Sequence, residues 1–177
     1  MIQCCITDGA DPSLWHRLPP VDWIQIRAKD LESRTLYERV ARALACGLPS
    51  TAKIIVNSRV DVALAAGAAG AHLPAGSPPP RIWQRIVPPG FLFGVSCHTL
   101  DEVSAAEQDG AGYVVFGPVF APLSKASDLE PRGLEQLARA AGSVEIPVLA
   151  LGGITRGNAD ACVAAGAAGI AGISMFL

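Results

Sequence analysis

The sequence predicts an α/β chain folded as a compact TIM-type (β/α)8 barrel, on three observations. Short apolar, β-branched runs alternate with helix-like segments from end to end, the pattern of a parallel sheet covered by helices. Eight such runs can be counted, their starts roughly 24 residues apart, about what a short strand, a helix of ten or so residues and two loops consume. The segments Ala65-Ala66-Gly67-Ala68-Ala69-Gly70 and Ala164-Ala165-Gly166-Ala167-Ala168-Gly169 also echo one another four strands apart, as a half-barrel repeat places them. Eight strands with this echo favour a closed barrel over an open Rossmann sheet.

The first strand is read at Ile2 to Thr7 and the second at Trp23 to Arg27. A helix follows at Glu32 to Cys46, with Leu36, Val40, Ala43 and Leu44 at helical spacing and Gly47 as a left-handed cap. The third strand runs from Lys53 to Asn57, and the helix behind it stops at Gly67 before a fourth strand, Gly70 to Leu73. Ser77-Pro78-Pro79-Pro80 and Val87-Pro88-Pro89-Gly90 bracket one short helix and do not resemble interdomain linkers. The fifth strand spans Leu92 to Ser96, and its helix ends at Gln108-Asp109-Gly110. The remaining strands are Tyr113 to Phe116, Val148 to Leu151 and Gly169 to Ile173, with a helix closing on Gly166 before the last.

A chain of 177 residues fits one domain, 1–177, and 50% hydrophobic against 17% charged residues excludes a disordered chain. Fourteen basic against sixteen acidic residues, without a basic run, exclude a nucleic-acid surface. The start at Met1 shows no basic n-region and no apolar stretch of signal-peptide length, so secretion is not expected, and the uncharged segment Ala161 to Leu177 is too short and too rich in Ala and Gly to be expected to span a membrane. Five cysteines lack zinc-ligand spacing and read as reduced thiols of a cytoplasmic protein. A typical barrel takes about 250 residues. This chain stops four residues past Ile173, so most or all of the eighth helix is expected to be absent. An apolar seam between the last and first strands would then be exposed, or covered by an early helix or by a partner in a homo-oligomer.

In such barrels the active site lies at the carboxyl ends of the strands. The polar residues there are Gln25, Arg27 and Lys29, then Asn57 and Ser58, His72 and Ser77, Ser96 and His98, Lys125, Gly152-Gly153, and Ser174. Arg27 and Lys29, two apart, share a face with Gln25 on a continuing strand. With Lys125 they would converge on one mouth, and convergence from separate strands points to polyphosphate recognition where any one cation alone reads as solvated charge. Gly152-Gly153 lets backbone N–H groups approach an anion, and with Ile173-Ser174 it stands after strands seven and eight, where barrels commonly hold a phosphate. His72 reads either as a proton carrier or as a hydrogen-bonded histidine closing the barrel top, the second being the commoner case. Cys97 and His98 are adjacent on a strand, point to opposite faces and cannot form a dyad. His16 has no visible partner and no assigned role.

These residues resemble the thiamine phosphate synthases and their TenI-like relatives. The resemblance runs through Cys5-Ile6-Thr7-Asp8, Gln25-Ile26-Arg27-Ala28-Lys29, Asn57-Ser58-Arg59-Val60-Asp61-Val62-Ala63, Gly70-Ala71-His72-Leu73 and Gly94-Val95-Ser96-Cys97-His98-Thr99. It continues in Tyr113-Val114-Val115-Phe116-Gly117-Pro118-Val119-Phe120, Lys125 and Ile146-Pro147-Val148-Leu149-Ala150-Leu151-Gly152-Gly153-Ile154. It implies a transferase of thiamine biosynthesis whose partners are small phosphorylated molecules. Hydroxymethylpyrimidine diphosphate would lose pyrophosphate, and the resulting cation would be captured by the nitrogen of hydroxyethylthiazole phosphate. It further implies that Gln25, Arg27, Lys29, Asn57 and Lys125 hold the diphosphate side, with Arg27, Lys29 and Lys125 carrying the catalysis. Ser96 and Ser124 would contact the substrates or pyrophosphate, and Gly152, Gly153, Ile173 and Ser174 the thiazole phosphate.

Two departures bear on metal. Mg²⁺ is the implied cofactor, yet the family's usual carboxylates are replaced by Ser58 and Ser77, so none is expected to be held by protein carboxylates. A third departure, Ala121-Pro122-Leu123-Ser124, removes one hydroxyl and keeps another. Losing two negative charges makes the mouth more cationic, each close pair being worth on the order of 4 kcal/mol at an effective dielectric of 20 before screening. The TenI-like branch, whose activity is tautomerisation of the thiazole phosphate, also lacks the acids. Its catalytic histidine falls at Pro118 here, leaving His72 or His98 as a replacement base. A non-catalytic phosphometabolite-binding protein is the third alternative. Retention of the Gln-x-Arg-x-Lys residues favours coupling over both.

Overall fold

The computed structural model describes residues 1–12, 15, 19–47, 52–121 and 130–176. Eight strands, β1 (Ile2–Thr7), β2 (Trp23–Ile26), β3 (Lys53–Asn57), β4 (Gly70–Leu73), β5 (Leu92–Cys97), β6 (Tyr113–Phe116), β7 (Val148–Ala150) and β8 (Gly169–Gly172), close a barrel in sequence order. Every neighbouring pair is parallel, and β8 returns to β1 with Ile2 opposite Gly169 and Cys4 opposite Ala171. Around it lie α1 (Ser33–Ala45), α2 (Val60–Ala66), α3 (Leu100–Gln108), α4 (Gly133–Gly142) and α5 (Ala159–Ala164). Gly47, Gly67, Gly110 and Gly166 all adopt positive φ just past helix ends, as their spacing predicts. None of the described helices is long and apolar enough to cross a membrane.

The strand period of two divides the side chains into two cores. Outward-facing Ile24, Ile26, Val56, Leu73, Val114 and Ile170 pack with the apolar stripes of the helices, Leu36 and Val40 of α1 and Leu137 of α4 among them. Inward-facing Cys4, Ile6, Trp23, Ile55, Tyr113, Val115, Leu149 and Ala171 fill the barrel. Two aromatic rings dominate that interior: Trp23 and Tyr113 are tilted against one another with centroids 4.6 Å apart. Tyr113 can lie across the axis because the facing position is Gly94; a Cβ there would fall on the ring's Cζ and hydroxyl.

The short helix expected between the proline clusters is a 3-10 turn, Pro80–Ile82. One expectation is corrected: the seam between β8 and β1 is not exposed. Cys5 and Ile170, its outward residues, are both buried, in one cluster with Trp15 of the β1–β2 connection and Phe176 beyond β8. Among the described residues no helix follows β8, and these two aromatic side chains join the cluster that an eighth helix would otherwise complete.

Candidate active site

A cavity of about 710 Å³ opens at the carboxyl ends of the strands. Gln25, Arg27 and Lys29 enter it from the end of β2, Asn57, Ser58 and Arg59 from the end of β3, His72 from β4, and Ser96 and His98 from β5. Its floor and far wall are apolar, with Ile6, Val115, Leu151 and Ile173. The shared face predicted for Gln25, Arg27 and Lys29 is therefore realised, although β2 ends at Ile26. Lys125 and Ser124 lie outside the described residues, as does His16.

A chain of polar groups runs from this cavity into the barrel. Ser96 Oγ is 2.8 Å from Nε2 of His72, whose Nδ1 is 3.1 Å from the Tyr113 hydroxyl. The Gln25 amide lies near that hydroxyl; it is almost fully buried, and its Nε2 has no hydrogen-bond partner among the described residues. A buried amide N–H without a partner, on a side chain that lines the cavity, is a donor available to a ligand.

His72 is only 3% exposed, and burial, with the Arg27 charge as a second cause, pushes its pKa down to about 4. At neutral pH it is therefore a neutral imidazole with one nitrogen donating and one accepting. With Ser96 on Nε2 and the Tyr113 hydroxyl on Nδ1, both ring nitrogens have partners, as in a hydrogen-bonded histidine closing the barrel top. The shift also sets a stability profile. Between pH 6.5 and about 4 the unfolded chain binds a proton at His72 that the folded protein does not, so stability falls as pH falls through that window. The loss approaches about 3 kcal/mol once pH drops below the folded value. Urea unfolding at pH 7 and 4.5 should show this component, and His72→Gln should flatten it; an unchanged slope would contradict the assignment.

His98 differs. Its Nδ1 donates to the carbonyl of Gly117, since a carbonyl can only accept, which leaves Nε2 as the acceptor of the neutral ring. Its backbone N–H is held by Glu102, whose carboxylate also bonds the N–H of Thr99 in the capping box of α3. Cys97 faces the opposite way, buried in the outer core with its thiol pushed up to about 12, so the two are no dyad.

Gly152 and Gly153 form the turn after β7, with φ of +98° and +61°. A Cβ on Gly152 would lie 2.5 Å from Cβ of Pro118 and one on Gly153 would lie 2.7 Å from Cβ of Phe120, so neither position accepts a side chain. The carbonyls of Leu151, Gly152 and Gly153 accept from Val119 N, Phe120 N and Asn158 Nδ2. In trans peptides the N–H points opposite the carbonyl, so the N–H edges of residues 152 and 153 turn away from the β6 side. Leu151 and Ile173 line the cavity itself; Gly152, Gly153 and the exposed Ser174, which follow them in the chain, are not among its lining residues.

The two serines at the usual metal positions are separated. Ser58 lines the main cavity, whereas Ser77 lines a narrower groove of about 180 Å³ between the β4 loop and α3, with Glu102 and Asp109. Ser58 has φ +64°, its N–H bonds the His72 carbonyl, and its Oγ accepts from Asn57 Nδ2 at 2.7 Å. Among the described residues no group of three or more His, Cys, Asp or Glu is placed to hold a metal ion. Asp8, just past β1, opens with Arg27 onto an adjoining pocket. These donors do not fit Mg²⁺, which takes hard carboxylate oxygens.

Sequence reasoning missed Arg59, which lines the cavity and is anchored bidentately to Asp61, Nε to Oδ1 at 2.9 Å and Nη2 to Oδ2, with Nη2 also on Ser33 Oγ at 2.7 Å. It also missed Tyr113, whose part in the site passes through His72.

Comparison with known proteins places these features in a family. A family model described as thiamine monophosphate synthase matches residues 17–176. The chain is 38% identical over 178 residues to the thiamine-phosphate synthase of Chlorobium luteolum, covering 98% of this chain and 84% of that protein. It is 42% identical over 153 residues to that of Methanoculleus marisnigri, covering 86% of this chain and 72% of the relative. Among solved structures, thiamine phosphate pyrophosphorylase from Pyrococcus furiosus aligns with a TM-score of 0.84 at 32% identity, over 98% of this chain and 85% of that one.

Proposed function

Since this chain belongs to the thiamine monophosphate synthase family, we propose that it is a transferase joining hydroxymethylpyrimidine diphosphate to hydroxyethylthiazole phosphate with release of pyrophosphate. The observation that carries the proposal is the common wall formed by Gln25, Arg27, Lys29 and Asn57 on a cavity whose opposite side is apolar. In the reaction the bond between the pyrimidine methylene carbon and the diphosphate oxygen breaks, the oxygen keeping the electron pair. The thiazole nitrogen then gives its lone pair to the carbon. Charge develops on the departing oxygen, and Arg27 and Lys29, on one wall of the cavity, meet it in a preorganised arrangement, with Lys125 assigned to the same role by the family resemblance alone. Gln25, with its unpartnered amide N–H, joins them on the diphosphate side. Ile6, Val115, Leu151 and Ile173 exclude water that would otherwise capture the cation. The glycine turn and Ser174 receive the thiazole phosphate, and Ser96 contacts the substrates or released pyrophosphate. Five free cysteines suit a reducing cytoplasm, where we place the reaction.

One observation favours proton transfer on the thiazole phosphate instead: the accepting Nε2 that the Gly117 carbonyl leaves on His98. Incubating purified protein with both substrates, while following thiamine phosphate and pyrophosphate, separates the two. Stoichiometric formation of both products, lost in Lys125→Ala, is expected. Tautomer conversion without coupling, abolished in His98→Asn, would replace the transferase reading, because the asparagine amide retains the Gly117 bond and removes Nε2.

A further inference from the structure

We propose that the cavity takes its diphosphate as a metal-free anion, and that Arg59 is one of the cations in contact with it. The diphosphate comes from the transferase reading above, on which this inference rests. The described residues lining the cavity include Arg27, Lys29 and Arg59 and no Asp or Glu. A divalent ion held between protein and diphosphate is ordinarily gripped by a protein carboxylate, and Glu102, Asp61 and Asp8 are each turned to other partners. Glu102 caps α3 and lines the neighbouring groove, which meets the cavity at Pro74, Ala75 and Ser96. Asp61 is spent on Arg59 and lies outside the cavity, its carboxyl held below the usual range by that hydrogen-bonded pair. Asp8 accepts from Ala10 N and faces the adjoining pocket beside Arg27.

Position 58 is where such an ion would have been gripped, and its hydroxyl is instead satisfied by the neighbouring Asn57 amide. The positive charge an ion would bring must come from side chains, and Arg59 is the cation placed to give it. Asp61 holds one edge of the guanidinium and Ser33, the first residue of α1, holds Nη2. A planar guanidinium held at Nε and Nη2 is preorganised to offer the two N–H groups of Nη1 to phosphate oxygens with little further loss of side-chain freedom.

Titration calorimetry with inorganic pyrophosphate, in EDTA and then in excess Mg²⁺, tests this directly. Wild-type protein should bind in EDTA, with affinity unchanged or weakened by Mg²⁺ as the ion competes for the ligand. Binding seen only with Mg²⁺, or tightened tenfold or more by it, would overturn the proposal. Arg59→Gln should weaken binding in EDTA at least tenfold, and unchanged affinity in that variant would remove Arg59 from the contact. Ser58→Asp supplies a measurement independent of Arg59, since aspartate tolerates the left-handed backbone at this position. That variant should lose at least tenfold in EDTA and recover with Mg²⁺; indifference to Mg²⁺ would also count against the proposal. Metal-free pyrophosphate binding without coupling would end the transferase reading and leave this inference standing, whereas coupling with metal-requiring binding would do the reverse.

Discussion

Gly94→Ala is expected to lower the stability of the barrel by roughly 4 kcal/mol, combining the strain of an overpacked core with the loss of a buried hydrogen bond. The added methyl would occupy the space of the Tyr113 ring. The ring cannot simply slide, because it is tilted against Trp23 and its hydroxyl is tied to His72. For a chain of this size such a loss corresponds to a fall in Tm of about 8–16 °C. Calorimetric unfolding measures it. Combining Gly94→Ala with Tyr113→Leu should cost less than the sum of the two single changes, because the clash then disappears. A single variant as stable as wild type would mean that Tyr113 does not cross the axis. The effect should extend to the site, since displacing Tyr113 frees His72 and with it the orientation of Ser96.

The second large effect is expected at Arg27. Arg27→Ala should reduce kcat/KM for coupling by about two to three orders of magnitude, the range seen when one preorganised donor to developing negative charge is deleted. It should also move His72. The Arg27 charge contributes, after burial, to holding that imidazole neutral, so its removal favours the protonated ring and raises the His72 pKa above about 4. Ring proton shifts followed by NMR from pH 3 to 7 read this without reference to turnover. A full loss of activity with His72 unmoved would place Arg27 away from the barrel axis. Unchanged kcat/KM would remove it from the leaving-group site.

Much of this was legible in the chain because local rules act over short spans. The eight strands emerge from their apolar runs, and the positive-φ glycines past the helix ends from their position before the next strand. Gln25, Arg27 and Lys29 share one cavity because alternate residues share a side. What was hidden depends on contacts between distant positions. The clamp on Arg59 needs Ser33, 26 residues earlier and on another helix. The crossing of Tyr113 to His72 spans 41 residues, and only the absent side chain at Gly94 permits it. Ser58 and Ser77 look like partners when aligned on a line, but the β4 loop carries Ser77 into a different groove. The closing of the β8–β1 face by Trp15 and Phe176, from opposite ends of the chain, follows from the closure itself.

The burial of the thiols makes the chain a counter of its own opening. Cys4, Cys5, Cys97 and Cys162 sit within the two cores, where desolvation raises each of them and withholds the reactive thiolate, while Cys46 stands exposed just past α1. An alkylating reagent at neutral pH therefore finds one fast site on the intact barrel and five on the unfolded chain. Cys46 lies at the end of the barrel remote from the strands' carboxyl termini, so a dye placed there reports on the molecule without touching its chemistry. The four slow sites divide the molecule as its cores do: Cys4 inside the barrel, the other three between sheet and helices. Their order of labelling would tell which layer loosens first.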